Sequence, residues 1–147
     1  MTQPTLTFNW IAVGAATVAG FVWGFLWYGP ICGKPWAKLM GFPADFKPDQ
    51  KKMTQAMILQ FVGLFLMTFV IAHSVQIWRP SVWGLGGDGP NSNYGFLCGF
   101  FTWIGFFIPQ QFGKVAWEGR PWKLFFINIV HDFVNLQIIS QILAHWR

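Results

Sequence analysis

The chain is short of charge. Of its 147 residues only 10% are charged, ten of them basic and five acidic, against about 25% in an average soluble domain. So few charges cannot coat a water-soluble globule of this size, and an ordinary cytosolic enzyme is excluded. Cysteine is scarce too. Cys32 and Cys98 show no CxxC or Cys/His ligand spacing, so neither a disulfide framework nor a zinc site follows. No GxSxG, HExxH or P-loop pattern occurs, which leaves hydrolase and nucleotide chemistry without support. The glycine-rich stretch from Gly84 to Pro90 has no strand ahead of it and reads as a turn. The net charge of +5 and pI of about 9.6 come from basic residues placed between apolar runs. They carry topology rather than a nucleic-acid surface.

What the chain has is apolar length. Hydrophobic residues make up 54% and aromatics 20%, and the mean hydropathy is +0.41. Four apolar stretches, about 8–28, 57–78, 94–112 and 124–143, each approach the ~20 residues that a helix needs to cross a ~30 Å hydrocarbon core. The expected fold is all-α: one polytopic membrane domain over 1–147 with four transmembrane helices and no cofactor. The first stretch is too long for a signal peptide and lacks a basic segment before it, so it should stay on the mature protein. Segment 29–53 holds Lys34, Lys38, Lys47, Lys51 and Lys52, and segment 113–123 holds Lys114, Arg120 and Lys123. Only Arg79 and Arg147 fall on the other side. Both segments are therefore expected in the cytoplasm and both termini outside the cell membrane. Trp10, Trp27, Tyr28, Trp78, Tyr94, Trp122 and Trp146 fall at span ends as an interfacial belt, whereas Trp23 and Trp103 fall inside spans as packing residues. Pro35 is expected at a first helical position ahead of Trp36, Leu39, Met40 and Phe42, and Pro48 at the opening of the second helix below the membrane, with Asp49 in its first turn.

The run from Gly20 to Trp36, GFVWGFLWYGPICGKPW, together with WEGRPWKLFFIN from Trp117 to Asn128, resembles the small four-helix membrane proteins of domain-of-unknown-function family 1761 (DUF1761). The resemblance covers nearly the whole chain and is most specific at Trp27, Tyr28, Pro30, Gly33, Lys34 and Trp36. It implies a four-span bundle and supplies no catalytic residues. In the last span, where the family pattern has a glycine-tyrosine pair, this chain has His131 and Asp132. There is also an echo between the halves. Val62, Phe65, Ile71, Trp78 and Arg79 match Val130, Phe133, Ile139, Trp146 and Arg147 at a constant offset, as a duplicated two-helix hairpin or shared membrane composition would produce.

The chemical anomaly lies in the fourth span. Asn128, His131, Asp132 and Asn135 share one narrow helical face. An ionisable group at that depth costs at least ~2.5–3.5 kcal/mol, so the face should point into the bundle. It is either a polar path for a ligand or a contact that joins helices, with Gln60 as the first candidate partner and Gln110 or Gln111 as others. His73 and His131 lie at different depths without a third ligand, so no metal is expected. Small residues recur at Ala12, Ala16, Gly20 and Gly24, and again at Gly95 and Gly99, as close helix contacts require. The expected role is a non-enzymatic, accessory or oligomer-forming membrane subunit that binds lipid or a membrane protein, itself included. The alternatives are a small transporter or channel subunit with a polar path around Asp132, and an intramembrane enzyme using His131 and Asp132.

Overall fold

The computed structural model describes residue 4 and residues 6–147; of the segment ahead of the first span, residues 1–3 and 5 lie outside the described residues. Six α-helices follow one another: α1 (Trp10–Leu26), α2 (Gly33–Leu39), α3 (Gln50–Ile77), α4 (Asn91–Thr102), α5 (Ile108–Glu118) and α6 (Trp122–His145). No strand occurs among the described residues. Asn9 starts α1, its side-chain oxygen accepting from the amides of Ile11 and Ala12 at 3.0 and 3.2 Å. Asp49 starts α3 in the same way, accepting from Lys51 N at 3.2 Å. It is thus the cap, one residue outside the helix rather than in its first turn. Pro35 likewise sits third in α2, still within the turn whose amides need no helical partner.

Two π-helical turns interrupt the helices, Trp27–Ile31 after α1 and Trp103–Phe107 between α4 and α5. Each accompanies a proline. Pro30 lies within the first, and Pro109, in the first turn of α5, faces the carbonyl of Gly105 in the second. A proline cannot donate to the carbonyl four residues back, and its ring crowds it; widening the turn relieves both problems without ending the helix.

Among the described residues three helices are long and apolar enough to cross a membrane: Trp10–Ile31 including its π turn, Gln50–Ile77 and Trp122–His145. The expected third span is not among them. Residues 91–118 are helical without a break, but glycines, Trp103, Gln110 and Gln111 dilute their hydropathy. The core joins Ala12, Val13 and Ala16 of α1, Leu64, Ile71, Ala72 and Val75 of α3, Cys98 of α4, and Leu136, Ile139, Leu143 and Ala144 of α6. Helix α6 touches all the other long elements, with its closest packing against α4 and α1. Most remaining large apolar side chains point outward, including Ile58, Leu59, Leu66 and Val70 of α3. In water that would be a liability; facing acyl chains it costs nothing.

Candidate functional site

The polar face of α6 meets two other segments. His131 Nδ1 lies 2.9 Å from Asp132 Oδ1. Gln111 of α5 donates to Asp132 Oδ2 at 3.4 Å and accepts from Asn128 Nδ2 at 3.3 Å. Tyr28, in the first π turn, donates its hydroxyl to Asn128 Oδ1 at 3.0 Å. The five side chains make one chain of contacts, Tyr28–Asn128–Gln111–Asp132–His131, linking the end of the first helix, α5 and α6. The imidazole of His131 sits among aromatic rings: Tyr28 at 4.7 Å, Trp27 at 6.4 Å and Trp23 stacked at 6.5 Å between centroids.

Asn135 continues the same face but stands apart from that chain. Its Oδ1 is buried without a hydrogen-bond partner, as are His131 Nε2 and, on α3, Thr68 Oγ1. Both α6 atoms abut the glycine row of α1. A Cβ on Gly20 would lie 2.7 Å from Asn135 Oδ1, and one on Gly24 would lie 3.6 Å from His131 Nε2. Ala16 of the same row is fully buried. Gly95 and Gly99 of α4 lie against Gln141, Gln137 and Ser140 of α6, where added carbons would come within 2.8 and 2.7 Å.

Gln60 is not the partner of Asp132. Phe61, next to Gln60 in α3, packs edge-on against Phe21 of α1, 5.6 Å between centroids, whereas Gln60 itself turns outward and is exposed. Gln111, buried in α5, takes that place. His73 is engaged elsewhere, its Nδ1 2.8 Å from the Phe69 carbonyl and its ring 4.1 Å from that of Phe8. Among the described residues no three His, Cys, Asp or Glu side chains converge as metal ligands would.

Sequence reasoning missed three sets of residues. Indole N–H groups of Trp23, Trp27 and Trp103 donate to the α6 carbonyls of His131, Ile127 and Ile129 at 3.3, 3.2 and 2.8 Å. Trp27 and Tyr28 therefore serve as ties to α6 rather than as a water-facing belt. Gln137 and Gln141 of α6 donate to the carbonyls of Phe96 and Ser92 in α4 at 3.3 and 3.0 Å. At the opposite end from Tyr28, Arg79 is 1% exposed. It donates to Asp88 Oδ2 at 3.4 Å, Asn91 Oδ1 at 2.9 Å and the Ala144 carbonyl at 2.7 Å, with its guanidinium 4.8 Å from the Tyr94 ring centroid. Arg147 reaches the same Asp88 oxygen at 2.8 Å. The connection after α3 is thus organised around a charge cluster, with a 3₁₀ turn at Pro80–Trp83 and left-handed glycines at Gly84 and Gly86. The pairing of Arg79 and Arg147 in the internal echo was the available signal.

An all-helical bundle with three apolar helices of spanning length, and with its polar side chains turned onto one another, defines a multi-pass membrane protein. Residues 11–144 match the family model described as Protein of unknown function (DUF1761), and the chain belongs to that family. Comparisons with curated proteins and with solved structures return no significant match.

Proposed function

We propose that the protein is a four-crossing membrane subunit that works by binding a membrane component, lipid or protein, and not by catalysis. The third crossing is the helical run 91–118. Its contacts support this: Ser92 meets Gln141, Phe96 meets Gln137, Trp103 meets Ile129, and Gln111 meets Asn128 and Asp132. That antiparallel register follows α6 along most of its length, so a bilayer that contains α6 contains this run as well.

The observation that carries the binding reading is the closed contact chain around Asp132. Its carboxylate is occupied by His131 and Gln111, and the remaining amides and the Tyr28 hydroxyl are spent on each other. Such a network joins helices, each contact contributing about 0.6 kcal/mol on average in membranes. Gentle solubilisation followed by identification of the co-purifying lipid or protein tests the reading. Asp132→Asn should fold, lose at most about 1–2 kcal/mol of stability, and retain the same associates.

A transport role is the second reading, favoured by the unpartnered Asn135 Oδ1 and His131 Nε2 on the same face of α6. Reconstitution into liposomes separates the two. Ion or proton flux that Asp132→Asn abolishes in a stable protein would replace the binding reading with the transport one.

A further inference from the structure

A cavity of about 430 Å³ opens where α1 begins and α3 and α6 finish, away from the Asp132 network. Small-molecule sites occupy ~300–1,000 Å³. Phe8, Val13 and Leu143 give it apolar walls, and Arg79 and Arg147 also line it. The two guanidinium groups share one carboxylate, that of Asp88. Among the described residues no other acidic side chain pairs with either of them. Arg79 is buried with its Nε unpartnered, while the Arg147 side chain is about half exposed. Among its side chains the cluster therefore has two guanidinium groups to one carboxylate, and the accessible share belongs to Arg147. Trp83 and Trp146 flank the cavity, each partly exposed, as aromatic side chains do at the level of lipid headgroups.

We infer that this cavity seats the phosphate headgroup of an anionic lipid, the oxyanion on Arg147 with Arg79 behind it and the first methylenes against Phe8, Val13 and Leu143. Guanidinium–phosphate contacts are charge-assisted and directional, and a headgroup without an ammonium of its own keeps its net negative charge beside the two arginines. Free phosphate offers the same oxygens but gains nothing from apolar walls. The helix ends also place the cavity at the depth where a headgroup meets its acyl chains.

The test uses the full chain in mild non-ionic detergent, with native mass spectrometry after addition of phosphatidylglycerol, phosphatidylcholine or inorganic phosphate. Phosphatidylglycerol should be retained over phosphatidylcholine by about tenfold, because both offer the phosphodiester oxyanion but the choline ammonium brings a further cation beside Arg79 and Arg147, and phosphate should not be retained. Arg147→Gln and Thr7→Trp, the second filling the cavity from an exposed position that does not touch Asp88, should each remove that preference. Lys38→Gln at the far end of the bundle should leave it intact. Equal retention of both lipids, a preference that survives both cavity variants, or a loss confined to Lys38→Gln would overturn the assignment. Retention of inorganic phosphate as strong as that of phosphatidylglycerol would overturn the lipid and leave a free-anion site. Should Arg147→Gln fail to fold, Thr7→Trp decides by itself.

Discussion

Arg79 shows how a single residue can be expensive and still retained. A guanidinium with 1% exposure is tolerable only because its donors reach Asp88, Asn91 and the Ala144 carbonyl, tying the end of α3 to the start of α4 and the end of α6. Burial pushes its pKa down from the ordinary arginine value, and the Arg147 charge adds to that, with Asp88 opposing both. Asp88 is held the other way. The Ser81 backbone amide, helped by the Ser81 side chain, Arg147 and Arg79, lowers its carboxyl from 3.8 to about 2 against the effect of burial. A carboxyl whose pKa is depressed on folding contributes stability that is complete above its unfolded value and is lost as pH falls through the folded one. The thermal midpoint in detergent should therefore decline between about pH 4 and pH 2. Asp88→Asn should melt lower at pH 7 and show a shallower decline across that window. If the variant declines as steeply as the parent, Asp88 is not the group being titrated.

Between elements, contact depends on where a side chain is missing. Gly95 faces the backbone of α6: an added Cβ would lie 3.1 Å from the Gln141 Cα as well as 2.8 Å from its Cδ. Backbone cannot step aside as a side-chain tip can, so Gly95→Ala should cost about 1–3 kcal/mol. Gly14 on α1 has nothing within 4 Å of the same added carbon. Gly14→Ala should be neutral or stabilising by up to about 1 kcal/mol, since alanine gives up less backbone freedom in a helix. Melting both variants in one detergent checks the pair, and equal losses would show that α4 does not pack on α6 at Gly95. The small-residue rows were readable from spacing because close approach in lipid demands them. The partner of Asp132 was not. Matching Gln60 to Asp132 by depth takes no account of facing: Gln60 turns outward on α3, and the run through Gln111 is continued past a π turn. Periodicity places a residue on a face but not the face in a bundle. The indole ties to α6 carbonyls were illegible for the same reason, since tryptophan inside a span looks like any packing residue until its neighbour is known.

At the scale of the molecule, orientation rests on charge and on how many times the chain crosses. The end of the bundle holding Tyr28, Asn128 and Gln111 also carries the segments with Lys34, Lys38, Lys47, Lys51, Lys52, Lys114, Arg120 and Lys123. The opposite end has Arg79 and Arg147 alone, both already engaged by Asp88. Lysine and arginine are retained on the cytoplasmic side when they sit in short segments close to the spans, so the expected orientation has the termini outside. The same bias distinguishes four crossings from three. If residues 91–118 cross, Glu118 lies with Lys51 on the basic side; if they fold back without crossing, Glu118 lies with Leu85 on the other. Three variants, each adding one cysteine to a background where Cys32 is serine, resolve this, because the remaining Cys98 is buried at 2% exposure and should label slowly. With a membrane-impermeant maleimide on intact cells, Leu85→Cys should label at once, whereas Lys51→Cys and Glu118→Cys should label only after permeabilisation. Immediate labelling at Glu118 with protection at Lys51 would mean three crossings, and α6 would then enter the bilayer from outside. Its contacts with Ser92, Phe96 and Trp103 could not survive that arrangement, because their partners would lie out of the membrane while α6 lay within it.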